Sequence, residues 1–216
     1  MRARPGPSSE PIVTVTDAVI PVVAGGETAL GPYSLDLRPG EVASIVGPSG
    51  SGKTTLVKAI VERRRPLAGS IAVNASPQEV AYVPQNAGDR LNRLATAFRH
   101  LRDISPRLAQ GTAGEFLESF RIPAAALRRP VATYSAGQKQ RLVLLMALLR
   151  QPRLIILDEP TSALDVEMRQ ELALLLRKLK EEKRIAILLT SHHLPFVSIV
   201  SDRILELARR DSGAVA

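Results

Sequence analysis

The chain has 216 residues and no cysteine, which excludes a disulfide framework, thiolate metal sites and iron–sulfur ligation, and suits a reducing compartment. An apolar content of 45% is that of a folded domain, and the length allows one sizeable core with a small subdomain. The net charge of +8 comes from Lys and Arg scattered along a chain with four Phe, three Tyr and no Trp; without aromatic stacking platforms among the basic residues, no nucleic-acid partner is expected.

Residues 1–11 read as a flexible tail without the apolar stretch of a signal peptide. The longest unbroken apolar run, 142–149, is far shorter than the ~18–20 residues that span a bilayer, so a cytoplasmic protein is expected. Residues 12–16 alternate apolar and polar side chains as a half-exposed strand does. Gly25-Gly26 signals a turn, 35–38 suggests another strand, and Pro39-Gly40 turns the chain into 42–46. That run, Val-Ala-Ser-Ile-Val, is short, apolar and β-branched, like a buried central strand. Residues 53–64 have helical spacing with Leu56, Ala59 and Ile60 on one face, and 70–73 and 80–84 read as short strands.

From 86 to 134 no convincing strand occurs, and Pro106, Gly111, Pro123 and Pro130 break Arg-rich helical pieces. This segment reads as a helical subdomain inserted into an α/β core. Helix 139–149, strand 154–157, helix 166–183 and strand 185–189 then alternate, the long helix carrying a stripe of Met168, Leu172, Leu175, Leu176 and Leu179. Such alternation predicts a mainly parallel sheet covered by helices on both faces. A short tail closes the chain at 208–216.

Between the strand at 42–46 and the next helix lies Gly47-Pro48-Ser49-Gly50-Ser51-Gly52-Lys53-Thr54-Thr55, a P-loop in its required strand–loop–helix context. Glycines let the backbone curl so that successive N–H groups point at phosphate oxygens, and the helix start adds its own unpaired N–H groups and dipole. Lys53 is placed to reach the β- and γ-phosphates, and the Thr54 hydroxyl to coordinate Mg²⁺. The strand 154–157 ends in Asp158-Glu159, two carboxylates at the sheet edge where open α/β sheets bind ligands. Asp158 suits the metal, and Glu159 suits the general base that polarises an attacking water.

A P-loop alone leaves kinases, GTPases and many ATPases open. Tyr134-Ser135-Ala136-Gly137-Gln138, just before the acidic strand, resembles the signature of ATP-binding-cassette (ABC) ATPases. Gln85, Ser162-Ala163-Leu164-Asp165 and Thr190-Ser191-His192 fall in order where that family has its Q-loop, D-loop and switch histidine. The resemblance spans about residues 12–207. It implies a P-loop NTPase core with N-terminal antiparallel strands and the helical subdomain, and a head-to-tail pair of cassettes with ATP between them. Ser135, Ala136, Gly137 and Gln138 would then meet the γ-phosphate held by the other cassette's P-loop. His192 would hold the γ-phosphate and the water together with Glu159, Gln85 would touch metal or water and report nucleotide state, and Asp165 would link the two sites.

A finer likeness of the segment after Gln85, with Leu91-Asn92, is to peptide and nickel importer ATPases and to C–P lyase accessory cassettes of phosphonate metabolism. Two departures stand out. Ala136 replaces the family's usual glycine, and residues 19–30 contain no aromatic to stack on adenine, leaving Val22 or Val23 for apolar contact. The function implied is an ATPase subunit that powers transport, import above export, through separate integral membrane subunits, on the inner face of the cell membrane. The alternative is a non-transport cassette such as the phosphonate accessory proteins. A small-molecule kinase leaves the signature and Glu159 unexplained.

Overall fold

The computed structural model describes residues 10–22, 28–104, 120, 122–162 and 164–208, with residues 89 and 90 by their backbone alone. Most of the two expected tails, Val23, Pro106, Gly111 and Ala163 lie outside the described residues. Among the described residues, eight strands form two sheets. β1 (Val13–Pro21), β2 (Ala29–Leu37) and β4 (Ala68–Val73) make an antiparallel sheet in the order β2-β1-β4. β3 (Val42–Val46), β5 (Val80–Val83), β6 (Leu154–Asp158), β7 (Ala186–Ser191) and β8 (Arg203–Glu206) make a parallel sheet in the order β5-β6-β7-β3-β8.

Five helices accompany them among the described residues: α1 (Lys53–Val61), α2 (Ala97–Ile104), α3 (Ala136–Leu149), α4 (Val166–Lys183) and α5 (Leu194–Val200). Because successive strand residues face opposite ways, β6 sends Leu154 and Ile156 into one core and Ile155 and Leu157 into another. The first core joins the antiparallel sheet and α1, through Leu56, Val57, Ala59 and Ile60, to one face of the parallel sheet. The second packs α3, α4 and α5 on the opposite face, through Leu142, Leu145, Leu172, Leu176, Phe196 and Val197. Burial on both faces is what the apolar runs of β3, β6 and β7 require, with Ser44 the one polar residue within them before their polar tips.

Several boundaries differ from the sequence reading. β1 continues to Pro21 across Asp17, whose φ of 44° and the register shift beside it form a bulge that interrupts the two-residue alternation. β7 runs on to Thr190 and Ser191, polar residues that are nonetheless buried. α3 begins at Ala136, not 139, because Ser135 caps it. β8 and α5 were not anticipated: β8 is an exposed edge strand, and α5 is only seven residues long. Between 86 and 134, α2 and three short 3-10 turns at Ala87–Arg90, Ala124–Arg128 and Val131–Thr133 occur, with only an isolated bridge from Thr96 to Pro130 among the described residues.

Leu56, fully buried where α1 meets the sheet, is the apolar anchor of the P-loop helix. Leu56→Ala is expected to lower unfolding free energy by about 3 kcal/mol, read as a lower urea midpoint at an unchanged slope.

Candidate active site

The P-loop leaves β3 at Gly47 and enters α1 through Gly52, which has a left-handed φ of 98°. A Cβ at Gly52 would lie 2.7 Å from Leu30 Cδ1 and from the Tyr33 hydroxyl, so this position admits no side chain without displacing both. As N-cap, Gly52 offers α1 no side-chain acceptor, and the first turn of α1 holds no acidic residue. The first N–H groups of the helix are therefore left for an anion. Inside the loop the Ser51 hydroxyl is buried without a partner, an orphan donor in a place built for acceptors. Pro48, Ser49 and Gly50 stand exposed at the rim, while Thr54 and Thr55 are half-buried on the first turn of α1.

Lys53 is buried, and its Nζ donates to the carbonyls of Gly47 at 2.8 Å and Pro48 at 3.1 Å. Glu159 Oε1 lies 3.7 Å from the same Nζ. The ammonium thus sits across the loop mouth, opposite the strand-end carboxylates. Asp158 Oδ1 accepts from Thr190 Oγ1 at 2.7 Å and from Thr54 Oγ1 at 3.1 Å, and Oδ2 is 3.5 Å from the Tyr82 hydroxyl. A hydroxyl and a carboxylate converging from two elements are the hard oxygen ligands that suit Mg²⁺. No group of three or more His, Asp or Glu side chains able to hold a metal occurs among the described residues. The Thr54–Asp158 pair therefore fits an ion that takes its other ligands from phosphate and water.

Glu159 is 6% exposed and has a φ of 49°, a left-handed conformation that costs a non-glycine residue about 1–2 kcal/mol. Its N–H donates to Thr190 Oγ1 at 2.9 Å, and its Oε2 is 2.9 Å from His192 Nδ1. The carboxylate can only accept, so His192 carries a proton on Nδ1, and in the neutral ring Nε2 is left as an acceptor. His192 is itself open, with 64% of its side chain exposed. Glu159 is consequently held between a cation and an imidazole, aimed at the space in front of the P-loop.

Lys53, Thr54, Asp158, Glu159 and His192 therefore meet, as read from the sequence. Gln85 is exposed just past β5, whose Val83 pairs with Leu157 of β6, and so leaves the sheet beside the Asp158 tip. The signature is elsewhere. Ser135 caps α3, its Oγ accepting from Gln138 N while Gln138 Oε1 accepts from Ser135 N, a reciprocal capping box. Ser135 and Ala136 are exposed and Gly137 is half-buried. Next to them Tyr134 donates to the Ala126 carbonyl at 2.7 Å, and burial pushes its phenol pKa upward, keeping it a neutral donor. Gln140 Nε2 donates to the carbonyl of Pro160 at 3.0 Å, so α3 is anchored on the loop after β6.

Two contributors were not assigned from the sequence. Thr190 bonds both carboxylate residues, and the polar interruption that ends the apolar run 185–189 was the signal for it. Gln140, buried in an apolar helix, was the other. Val22 is 39% exposed at the end of β1, and Asp165 caps α4 by accepting from Met168 N at 2.9 Å.

A parallel sheet with a P-loop after one strand and paired acids after another defines a P-loop nucleoside triphosphatase. Residues 30–162 match the family model described as ABC transporter. The zinc import ATP-binding protein ZnuC of Pseudomonas syringae pv. syringae (strain B728a) is 32% identical over 190 residues, covering 88% of this chain and 71% of that protein. ZnuC of Yersinia enterocolitica serotype O:8 is 34% identical over 199 residues, covering 88% and 75%. The dimeric post-hydrolysis structure of the ATP-binding cassette MJ0796 bound to ADP and Pi superposes with a TM-score of 0.78 at 25% identity, covering 90% of this chain and 94% of that one. The chain belongs to the ABC transporter family: it is an ATP-binding subunit, and its activity is ATP hydrolysis.

Thr190→Val keeps the shape of the side chain but removes both hydrogen bonds to the strand tip. ATPase kcat is expected to fall about tenfold in an otherwise folded protein, measured by phosphate release.

Proposed function

We propose that this chain binds Mg-ATP on its P-loop and hydrolyses it in a head-to-tail pair of cassettes, to power import through separate membrane subunits. The observation that carries the hydrolytic part is the Glu159 carboxylate, held 2.9 Å from His192 Nδ1 and 3.7 Å from Lys53 Nζ beside an uncapped helix start. Residues 47–55 bind the phosphates. Lys53 exchanges the carbonyls of Gly47 and Pro48 for phosphate oxygens and neutralises them. Bound Mg²⁺, held by Thr54 and Asp158 with Gln85 near it, supplies charge neutralisation on the phosphates. Glu159 accepts a proton from the attacking water, and His192 orients the carboxylate and the water through its two ring nitrogens.

Ser135, Ala136, Gly137 and Gln138 complete the site of the other cassette. In support of this, their hydrogen bonds run within α3, and the helix is tied to the loop after β6. Residues 12–207 form the cassette, and 86–134 act as a helical subdomain that meets the membrane subunits together with Gln85. The exposed Leu94 and the partly exposed Phe98 give that segment an apolar surface. No helix among the described residues is long and apolar enough to cross a membrane. In this reading separate partner chains span the bilayer, and this subunit works on the cytoplasmic face. The zinc-import function in the names of the two relatives supports import above export and above an accessory role. Val22 and its neighbours contact the adenine.

Glu159→Gln keeps size and hydrogen-bonding shape but cannot take a proton. Turnover is expected to fall at least about a hundredfold while ATP stays bound and dimers accumulate, seen by phosphate release and size-exclusion chromatography in ATP. Undiminished hydrolysis would overturn the role of Glu159. Copurification of the tagged protein with integral membrane proteins is the expected result for a transport subunit, and recovery of soluble enzymes alone would contradict it.

A further inference from the structure

His193, the neighbour of His192, makes two contacts that a single neutral imidazole cannot satisfy together. Its Nε2 lies 2.9 Å from Arg169 Nη1, on the first turn of α4. Its Nδ1 lies 3.1 Å from the backbone N–H of Phe196, the contact by which His193 caps α5. A guanidinium only donates, and so does a backbone N–H, yet the neutral ring has one acceptor nitrogen. The Phe196 N–H has a second acceptor, the His193 carbonyl, at the same 3.1 Å. Arg169 has less choice: its Nε is already buried without a partner. A charge-assisted bond is also roughly twice as strong as a neutral one. The ring therefore serves Arg169, and the helix cap falls back on the carbonyl.

That bond joins two segments of the site. The loop after β7 carries His192 toward Glu159, and its flanks are pinned by His193 N to Ser191 Oγ at 3.0 Å and by Ser191 Oγ to Thr161 Oγ1 at 3.5 Å. α4 begins at its cap Asp165, and Arg169 N bonds back to the Asp165 carbonyl at 3.0 Å. We propose that Arg169 is a positioning residue for hydrolysis: through His193 it clamps the His192 loop to the start of α4, so that the placement of α4 sets the placement of His192 against Glu159. This rests on the reading of His192 as part of the hydrolytic site. Arg169 itself touches neither nucleotide nor the reacting water, and its effect should fall on the chemical step, leaving ATP binding alone.

The test uses the full chain with Mg-ATP and separates kcat from KM. Arg169→Met, which keeps the aliphatic stem, is expected to lower kcat about tenfold with KM changed less than about twofold. His193→Leu should do the same. His193→Asp should retain most of kcat, because a carboxylate accepts from Arg169 and from the Phe196 N–H at once. In a His192→Ala background, measured under single turnover, Arg169→Met should cause no further fall. Wild-type kcat in Arg169→Met, an equal loss in both backgrounds, or His193→Asp as slow as His193→Leu would each overturn the clamp. If His192→Ala were itself fully active, the reading of His192 would fail instead, and the two failures are thereby distinguishable.

Discussion

The site depends on one carboxylate oxygen. Asp158 Oδ1 accepts a hydroxyl from Thr54, on the helix after β3, and another from Thr190, at the tip of β7. β7 lies between β6 and β3 in the sheet, so this oxygen ties three adjacent strand ends into one surface. The parallel order makes it possible: all three strands deliver their carboxyl ends on the same edge, and the polar residues cluster there while the strand bodies, Ser44 aside, are apolar. Thr190 also receives the Glu159 N–H. The left-handed backbone of Glu159 is thus held from behind while its side chain lies between Lys53 and His192.

The same geometry divides the machinery. The P-loop, the Thr54 and Asp158 oxygens, the Glu159 carboxylate and His192 gather at one edge of the parallel sheet, whereas Ser135 caps α3 and that helix is secured through Gln140 to Pro160. Gly137 lies close to Met168 and Leu164, with a hypothetical Cβ 3.1 Å from Met168 Cε, which sets the signature against the start of α4. α4 begins at Asp165 and, through Arg169 and His193, reaches the loop of His192. In the proposed pairing, contacts of the signature with a second cassette would therefore reach Glu159 and His192 through one helix. This is the physical content we give to a site shared between two chains.

Most of this was legible in the sequence where chemistry and periodicity agreed. β3, α4 and the acidic strand end were readable because apolar runs end abruptly in glycines, acids or caps; α4 matches the sequence reading at both ends, Val166 and Lys183. The P-loop is defined by spacing, and the structure adds that Gly52 has no room for a side chain. What was missed has physical reasons. The bulge at Asp17 breaks the strand alternation, and β8 is too exposed to show an apolar pattern. Thr190 reads as a strand-ending polar residue until its two partners, 31 and 32 positions away, are seen. The pairing of His193 with Arg169, 24 positions distant, shows in no local sequence pattern.

The claim that each chain carries half of two composite sites is tested most directly by complementation. Lys53→Ala removes the phosphate-binding cation, and Ser135→Arg places a bulky charge on the signature; each chain alone should lack ATPase activity. Mixed in equal amounts, half of the dimers combine one chain of each kind, and each of these has one intact site. The account predicts recovery of about a quarter of the wild-type rate. A mixture as inactive as its components, or wild-type hydrolysis by Ser135→Arg alone, would contradict it.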